Sequence, residues 1–245
     1  MKKTLLALTM AALTSGAATT ALAADPKAPG PDFEISGNFG LFSDYRFRGV
    51  SQTDKDPALQ GGFDLNHKSG LYIGTWGSNV DDWASTSGSG MEIDLYGGFT
   101  TEIGGLGLDV GMLRYMYPSN TANQNTTEWY VGASYSFLSY KFSKSTTKLF
   151  GVGAKGSTYH ALGAEFPMND QLSLYAHYGR TDSKSVAKFS DYKIGVSYAL
   201  PGDYSVALDY IGTSGMSTSE GTGYLGTGSK KLYDSTAVIS LSKSF

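Results

Sequence analysis

The chain has 245 residues, with 19 Lys and Arg against 22 Asp and Glu, three His and no Cys. The missing thiols exclude a disulfide-stapled scaffold and thiolate chemistry, and the slightly acidic balance excludes the basic face that a nucleic-acid partner needs. Thirty-two Gly, 17 Tyr and 12 Phe favour strands and turns over helices.

The first 23 residues, MKKTLLALTMAALTSGAATTALA, read as a secretory signal peptide. Lys2 and Lys3 precede an uncharged apolar run, and small residues around Ala21-Leu22-Ala23 supply a cleavage site. Removing residues 1–23 leaves 17 basic against 22 acidic residues, a net charge of −5. Residues 24–32 form a Pro-rich periplasmic leader, and residues 33–245 the folded domain.

From Phe33 onward almost every segment alternates with a period of two, the signature of a strand with two unlike faces. Phe33, Ile35, Gly37, Phe39, Leu41, Ser43, Tyr45 and Phe47 share an apolar phase that opposes Glu34, Ser36, Asn38, Asp44, Arg46 and Arg48. The alternation returns around Leu59/Phe63/Leu65, Ile93/Leu95/Phe99, Trp129/Val131/Tyr135, Leu172/Leu174/Tyr178, Tyr192/Ile194/Tyr198 and Val206/Leu208/Tyr210. No segment carries a sustained 3.6-residue stripe.

Connections alternate between short and long. Short turns fall at 67–70, 102–105, 138–139, 167–170 and 201–203; longer polar segments fall near 49–57, 78–90, 118–126, 144–157, 181–190 and 213–230. Eleven connections imply about twelve strands with both termini on the short-turn side. A soluble sandwich does not need that alternation, whereas an outer-membrane barrel combines short periplasmic turns with long extracellular loops. The expected fold is therefore all-β: a transmembrane antiparallel β-barrel with an up-and-down meander.

Aromatic residues near strand ends on the apolar phase, Tyr45 and Phe47 among them, fit interfacial girdles. The last segment, YDSTAVISLSKSF, sets Ile239, Leu241 and the terminal Phe245 on one phase, a candidate signal for the outer-membrane insertion machinery. A closed barrel crosses lipid with every backbone group paired and no free edge.

The stretch SDYRFRGVSQTDKDPALQGGFDLNHKSGLYIGTWGSNVDD, residues 43–82, resembles the TorF porin family of Gram-negative bacteria. The likeness rests on Tyr45-Arg46-Phe47-Arg48-Gly49-Val50-Ser51, Pro57 to Gly62, His67 with Ser69-Gly70, Gly74 to Asn79, and the later Glu92 to Gly98. It implies an outer-membrane β-barrel and carries neither a substrate nor catalytic residues.

Period two places Arg46 and Arg48 inside the barrel near the extracellular end of the first strand, with Tyr45 and Phe47 at the lipid interface. Asp64 and Asp234 are candidate partners. Two readings of the arginines stand: they brace the wall through ion pairs, or they form a constriction that grips an anionic group. Candidate lumen-lining residues are Asp44, Arg46, Arg48, Asp64, Glu92, Asp94, Glu128, His177, Lys193, Asp209 and Asp234, with Glu34, Asp109 and Asp191 on the same phase. The acidic excess predicts weak cation preference. Inner-phase Gly62, Gly98, Gly132 and Gly195 leave room, while Phe42, Tyr96, Tyr130 and Tyr175 fill it.

The expected function is passive diffusion of a small solute through an outer-membrane channel, with outer-membrane lipids and the insertion machinery as partners and no cofactor, metal or nucleic acid. A plugged barrel working through its loops as anchor, adhesin or receptor is the alternative, and a hydrolase a remoter one. His67 falls in a turn, His160 on the apolar phase, and His177 inside without a Ser at triad spacing. GVGAKG at 151–156 lacks the strand-helix context of a nucleotide loop. Asp81, Asp82 and Trp83 could hold a cation or sugar, or be a solvated loop.

Overall fold

The computed structural model describes residues 32–81, 89–118, 124–151, 153–183, 188–216 and 230–245. The expected signal peptide, most of the leader, Asp82, Trp83, Val152 and the centre of the 213–230 loop lie outside the described residues.

Twelve antiparallel strands close into one barrel: β1 (Phe33–Phe42), β4 (Ala58–His67), β5 (Leu71–Asn79), β6 (Met91–Ile103), β7 (Leu106–Met116), β8 (Thr126–Tyr135), β9 (Leu138–Ser145), β10 (Thr158–Pro167), β11 (Leu172–Asp182), β12 (Lys188–Leu200), β13 (Tyr204–Ser214) and β14 (Thr236–Ser244). Each strand pairs with its neighbours in sequence, and β14 returns to β1. Two further short strands, β2 (Arg46–Phe47) and β3 (Val50–Ser51), pair only with each other. The meander and the strand number agree with the alternation of short and long connections. One turn is shifted: Ser136 and Phe137 link β8 to β9, with Ser136 at φ 55, where the sequence suggested 138–139.

The seam is made by the C-terminus. Register runs Leu41 to Leu241 and Asn38 to Ser244, after which Phe245 exchanges backbone bonds of 2.8 and 3.0 Å with Gly37. The Phe245 ring then meets Phe63 edge-on at 5.9 Å. Closure leaves no unpaired edge to desolvate.

Side chains obey the two-residue period. Ile35, Leu59, Ile73, Ile194 and Ile239 each expose more than half of their surface on the outer face, an arrangement suited to lipid and costly in water. Facing them inward are Gln60, Ser78, Glu92, Glu128, Lys141, Ser143 and Asp191, all buried.

Inward tyrosines sit opposite glycines. Tyr96 is the register partner of Gly74, Tyr72 of Gly98, Tyr130 of Gly111 and Tyr175 of Gly195. In each pair the ring lies where a glycine side chain would be; a Cβ on Gly74 would stand 2.5 Å from Tyr96 Cε2. Gly98 and Gly195, expected to leave the lumen roomy, are therefore covered by rings. Replacing Gly74 with Ala must push the Tyr96 ring off its seat and away from Asp64. The expected loss is about 1–3 kcal/mol, the usual penalty for overpacking, measured as a lower denaturant midpoint for unfolding of the refolded barrel.

Candidate functional site

The first connection does not continue the wall. Pairing of β1 with β14 ends at Phe42, Ser43 N still bonds Ile239 O at 2.9 Å, and the chain then turns into the lumen. Residues 44–53 are all buried. Within this segment β2 and β3 form a two-residue hairpin whose tip, Arg48-Gly49, has φ of 47 and 79. Two successive positive φ values define the type I′ turn that matches strand twist. Gly49 suits it; Arg48 is a residue that seldom adopts this conformation, at a cost on the order of 1 kcal/mol or more.

Contacts at the tip hold Arg48 there. Its Nη2 donates to both carboxylate oxygens of Glu128 at 2.9 Å, and its guanidinium carbon lies 4.1 Å over the Tyr159 ring and 4.9 Å over Phe47. Arg46 is held at the hairpin base. Its Nε donates to Asp44 at 2.6 Å, and Nη1 donates to the carbonyls of Gly49, Leu232 and Asp234 at 3.0–3.1 Å. Asp44 also accepts from Ser51 at 2.6 Å, so one carboxylate ties both strands of the hairpin. Outside, Lys231 bonds Asp54 at 2.9 Å, and that bond holds its ammonium above the usual lysine range.

Several sequence expectations are corrected here. Tyr45 and Phe47 do not meet lipid: they are 1% and 6% exposed and pack inside with Leu113, Tyr115, Tyr117 and Tyr130. Rings of Phe47, Tyr115 and Phe150 meet edge-on at 5.4–5.6 Å. Arg46 and Arg48 are interior because they ride on a hairpin, not because the first strand extends to them. Their acidic partners are Asp44 and Glu128, where Asp64 and Asp234 were expected; Asp234 lies before β14 and offers Arg46 its carbonyl. The physical reason is volume, since a twelve-stranded barrel encloses more space than its own wall side chains fill.

Another layer of polar groups lies below the hairpin, toward the short turns. Asp64 accepts from Tyr96 at 2.7 Å, Asp109 from Tyr72 at 2.7 Å, and Asp209 from Tyr175 at 2.5 Å. Tyr72 and Tyr130 also share a hydrogen bond between their hydroxyls. In the long-loop half, directly under the hairpin, Glu92 accepts from Tyr45 at 3.0 Å and Tyr117 at 2.7 Å, while Asp94 keeps one buried oxygen without a described partner. Tyrosine hydroxyls thus donate to most of the inward acids without supplying a counter-charge. Lys193 lies 5.2 Å from the Tyr175 ring, and Lys141, which sequence reasoning missed, lies 3.8 Å over Tyr130. The signal for these tyrosines was available in the inner phase, opposite Gly; that they would donate to acids on other strands depends on barrel curvature.

His177 Nε2 stands 2.8 Å from Asp191 and 3.0 Å from the hydroxyl of Tyr159, which also donates to Asp191. Neither partner is a nucleophilic Ser. His160 is exposed on the outer wall, and His67 closes β4 with its Nδ1 2.7 Å from Ser69 Oγ. Ile239, Leu241 and Phe245 all point outward.

The two halves of the lumen differ. Toward the long loops, Gln60, Glu92, Asp94, Thr126, Glu128, Tyr159 and Val238 are buried under the hairpin and under Leu149, Leu232 and Tyr233 of other connections. Toward the short turns, Asn38, Asp64, Tyr72, Tyr96, Glu165, Tyr175 and Lys193 are only half-buried and reach solvent. A cavity of about 10 Å³ beside Arg48, bounded by Phe47, Tyr115, Lys141 and Tyr159, has room for about one water. The hairpin therefore fills the long-loop half, while the inward side chains of the short-turn half stay accessible to solvent.

Comparison with solved structures finds the same architecture in porins. The KdgM porin superposes with a TM-score of 0.55 at 6% identity, covering 86% of this chain and 99% of its own. The NanC porin gives 0.50 at 11% identity, covering 86% and 99%. At such identities the likeness is one of fold. No curated protein matches the sequence. A family model described as "Bacterial protein of unknown function (Gcw_chp)" matches residues 23–245.

Breaking one side of the Arg48–Glu128 pair leaves a buried charge alone, which costs about 3–5 kcal/mol, whereas removing both charges costs much less. Arg48→Met and Glu128→Gln should each raise amide exchange across residues 45–52, and the double variant should recover much of the protection. Hydrogen exchange followed by mass spectrometry measures all three.

Proposed function

The chain belongs to the Gcw_chp family of bacterial proteins, and from that premise we propose that it is an outer-membrane channel for small solutes, constricted by the hairpin of residues 43–57. The observation that carries this reading is the contrast between a solvent-accessible, polar short-turn half and a long-loop half filled by one inserted segment. The apolar outer wall, the porin-like fold and the TorF resemblance of residues 43–82 support it. In this reading the long loops are extracellular, residues 1–23 are an export signal, and Ile239, Leu241 and Phe245 engage the insertion machinery.

Solute charge follows from the wall. Asp64 and Glu165 are half-buried toward the short turns with Lys193, and Asp109 and Asp209 are buried inward with Lys141. An acidic lining attracts cations and repels anions. The two arginines that could have gripped an anion have their charges committed to Glu128 and Asp44. The solute class is therefore small cations and zwitterions.

A second reading, a permanently plugged barrel acting through its loops, is favoured by the aromatic packing of the hairpin against Leu113, Tyr115 and Phe150. Planar-bilayer recordings separate the two. Tyr45 O accepts from Gln52 N at 2.7 Å, so excising residues 46–51 leaves ends that already meet. The excised variant should conduct in discrete steps several times larger than those of the parent, with a reversal potential of cationic sign in a salt gradient. Equal conductance in both proteins would show that the hairpin is not the constriction, and an anionic sign would reject the acidic lining. A parent that stays silent while the variant conducts identifies the plugged state.

A further inference from the structure

We propose that the outer wall of β7–β11, at its long-loop rim, binds the phosphate groups of an anionic lipid in the outer leaflet. The inference rests on the membrane reading above and concerns a surface which that reading does not use. Arg114 on β7, Lys144 on β9 and Arg180 on β11 are exposed, point outward, and each stands within two residues of the long-loop end of its strand. They recur on every second strand, so neighbouring strand spacings of about 4.8 Å set them roughly 10 Å apart along the rim.

The register ties them into one surface. Arg114 opposes Thr127 and bonds its hydroxyl at 3.3 Å; Lys144 opposes Trp129 and Thr158; Arg180 opposes His160 and bonds Ser190 at 3.3 Å. His160 adds a ring nitrogen, its Nδ1 lying 2.7 Å from the Tyr140 hydroxyl. Among the described residues no carboxylate bridges to Arg114, Lys144 or Arg180, although Lys188 nearby is paired with Asp182 at 2.9 Å. Lys148 and Lys155, exposed on the connection between β9 and β10, extend the positive field.

Immediately below the cations lies an aromatic band. Trp129 meets Phe142 at 5.4 Å and Phe142 meets His160 at 5.0 Å, with Tyr140 and Tyr178 beside them. Interleaved with these rings as their cross-strand partners, Met112, Val131 and Leu162 are bare and apolar, and the apolar wall continues below them at Val110. Acyl chains fit the apolar wall, aromatic rings fit the interface, and cations at the rim meet phosphate. Elsewhere the same rim is different: Leu41, Leu59 and Met91 on β1, β4 and β6 carry no charge there. At its long-loop rim a chain with a net negative charge has thus gathered outward strand cations on one arc, which general solubility does not require.

The test uses the full protein refolded in detergent, with closure of the barrel verified first by heat-modifiable migration. Failure at that step overturns the membrane reading itself and is distinct from a failure to bind lipid. The folded protein is then titrated with bisphosphorylated lipid A, with its dephosphorylated form, and with inorganic phosphate, and bound lipid is counted by native mass spectrometry. The parent should retain the bisphosphorylated lipid. Arg114→Gln, Lys144→Gln and Arg180→Gln together should weaken retention on the order of a hundredfold, from about one contact's worth of headgroup attraction per cation. Lys68→Gln with Lys243→Gln, at the opposite rim, should leave it unchanged. Equal retention by the triple variant, or of the dephosphorylated lipid, overturns the proposal. Displacement of the lipid by millimolar phosphate would identify a free-anion site and reject a lipid occupant.

Discussion

A closed ring of twelve strands solves the backbone hydrogen-bond problem in lipid and creates another inside: a space too wide for the wall's own side chains and too narrow to ignore. Everything inward of the wall answers that constraint. In the short-turn half the answer is solvent-accessible space bounded by tyrosine and carboxylate. In the long-loop half it is chain. The hairpin brings aromatic surface, so Tyr45 and Phe47 form with Tyr115, Tyr117 and Phe150 a small apolar core within a polar lumen.

Bringing chain inside adds polar groups that must also be bonded, and the hairpin carries its own partners. Asp44 receives Arg46 and Ser51, while Arg46 caps the carbonyls of Leu232 and Asp234 from the last connection. From the wall, Glu128 supplies the partner of the tip and Glu92 accepts from Tyr45. Buried ion pairs contribute little net stability, but they specify geometry, because a charge displaced from its partner is penalised heavily. That penalty is what keeps Arg48 in a left-handed conformation.

Much of the fold was legible because two signals were redundant: the two-residue period and the alternation of connection lengths. Both report the wall directly. Residues 43–51 were misread for the same reason, since a hairpin also alternates, and Tyr45-Arg46-Phe47-Arg48 has the same period whether it extends β1 or folds inward. Gly49, between Phe47-Arg48 and Val50-Ser51, was the local clue to a turn. The inner phases of Asp64, Glu92, Glu128 and Asp209 could be read from strand register alone. Their partners could not, because Tyr96 reaches Asp64 and Tyr175 reaches Asp209 across a curved wall, over separations of 32 and 34 residues that no local pattern encodes.

The pairing of hairpin and wall also sets the charge balance of the long-loop half. Glu92, Asp94 and Glu128 lie close enough to interact electrostatically in the long-loop half, and Arg48 is the cation bonded among them. Tyr45, a donor to Glu92, sits on the same segment as Arg48. The inserted segment thus sets two arginines, Asp44 and a tyrosine donor over three carboxylates of the long-loop half. With the segment seated, its arginines offset carboxylates that would otherwise face one another at close range, so this half of the interior depends on the hairpin for its charge balance.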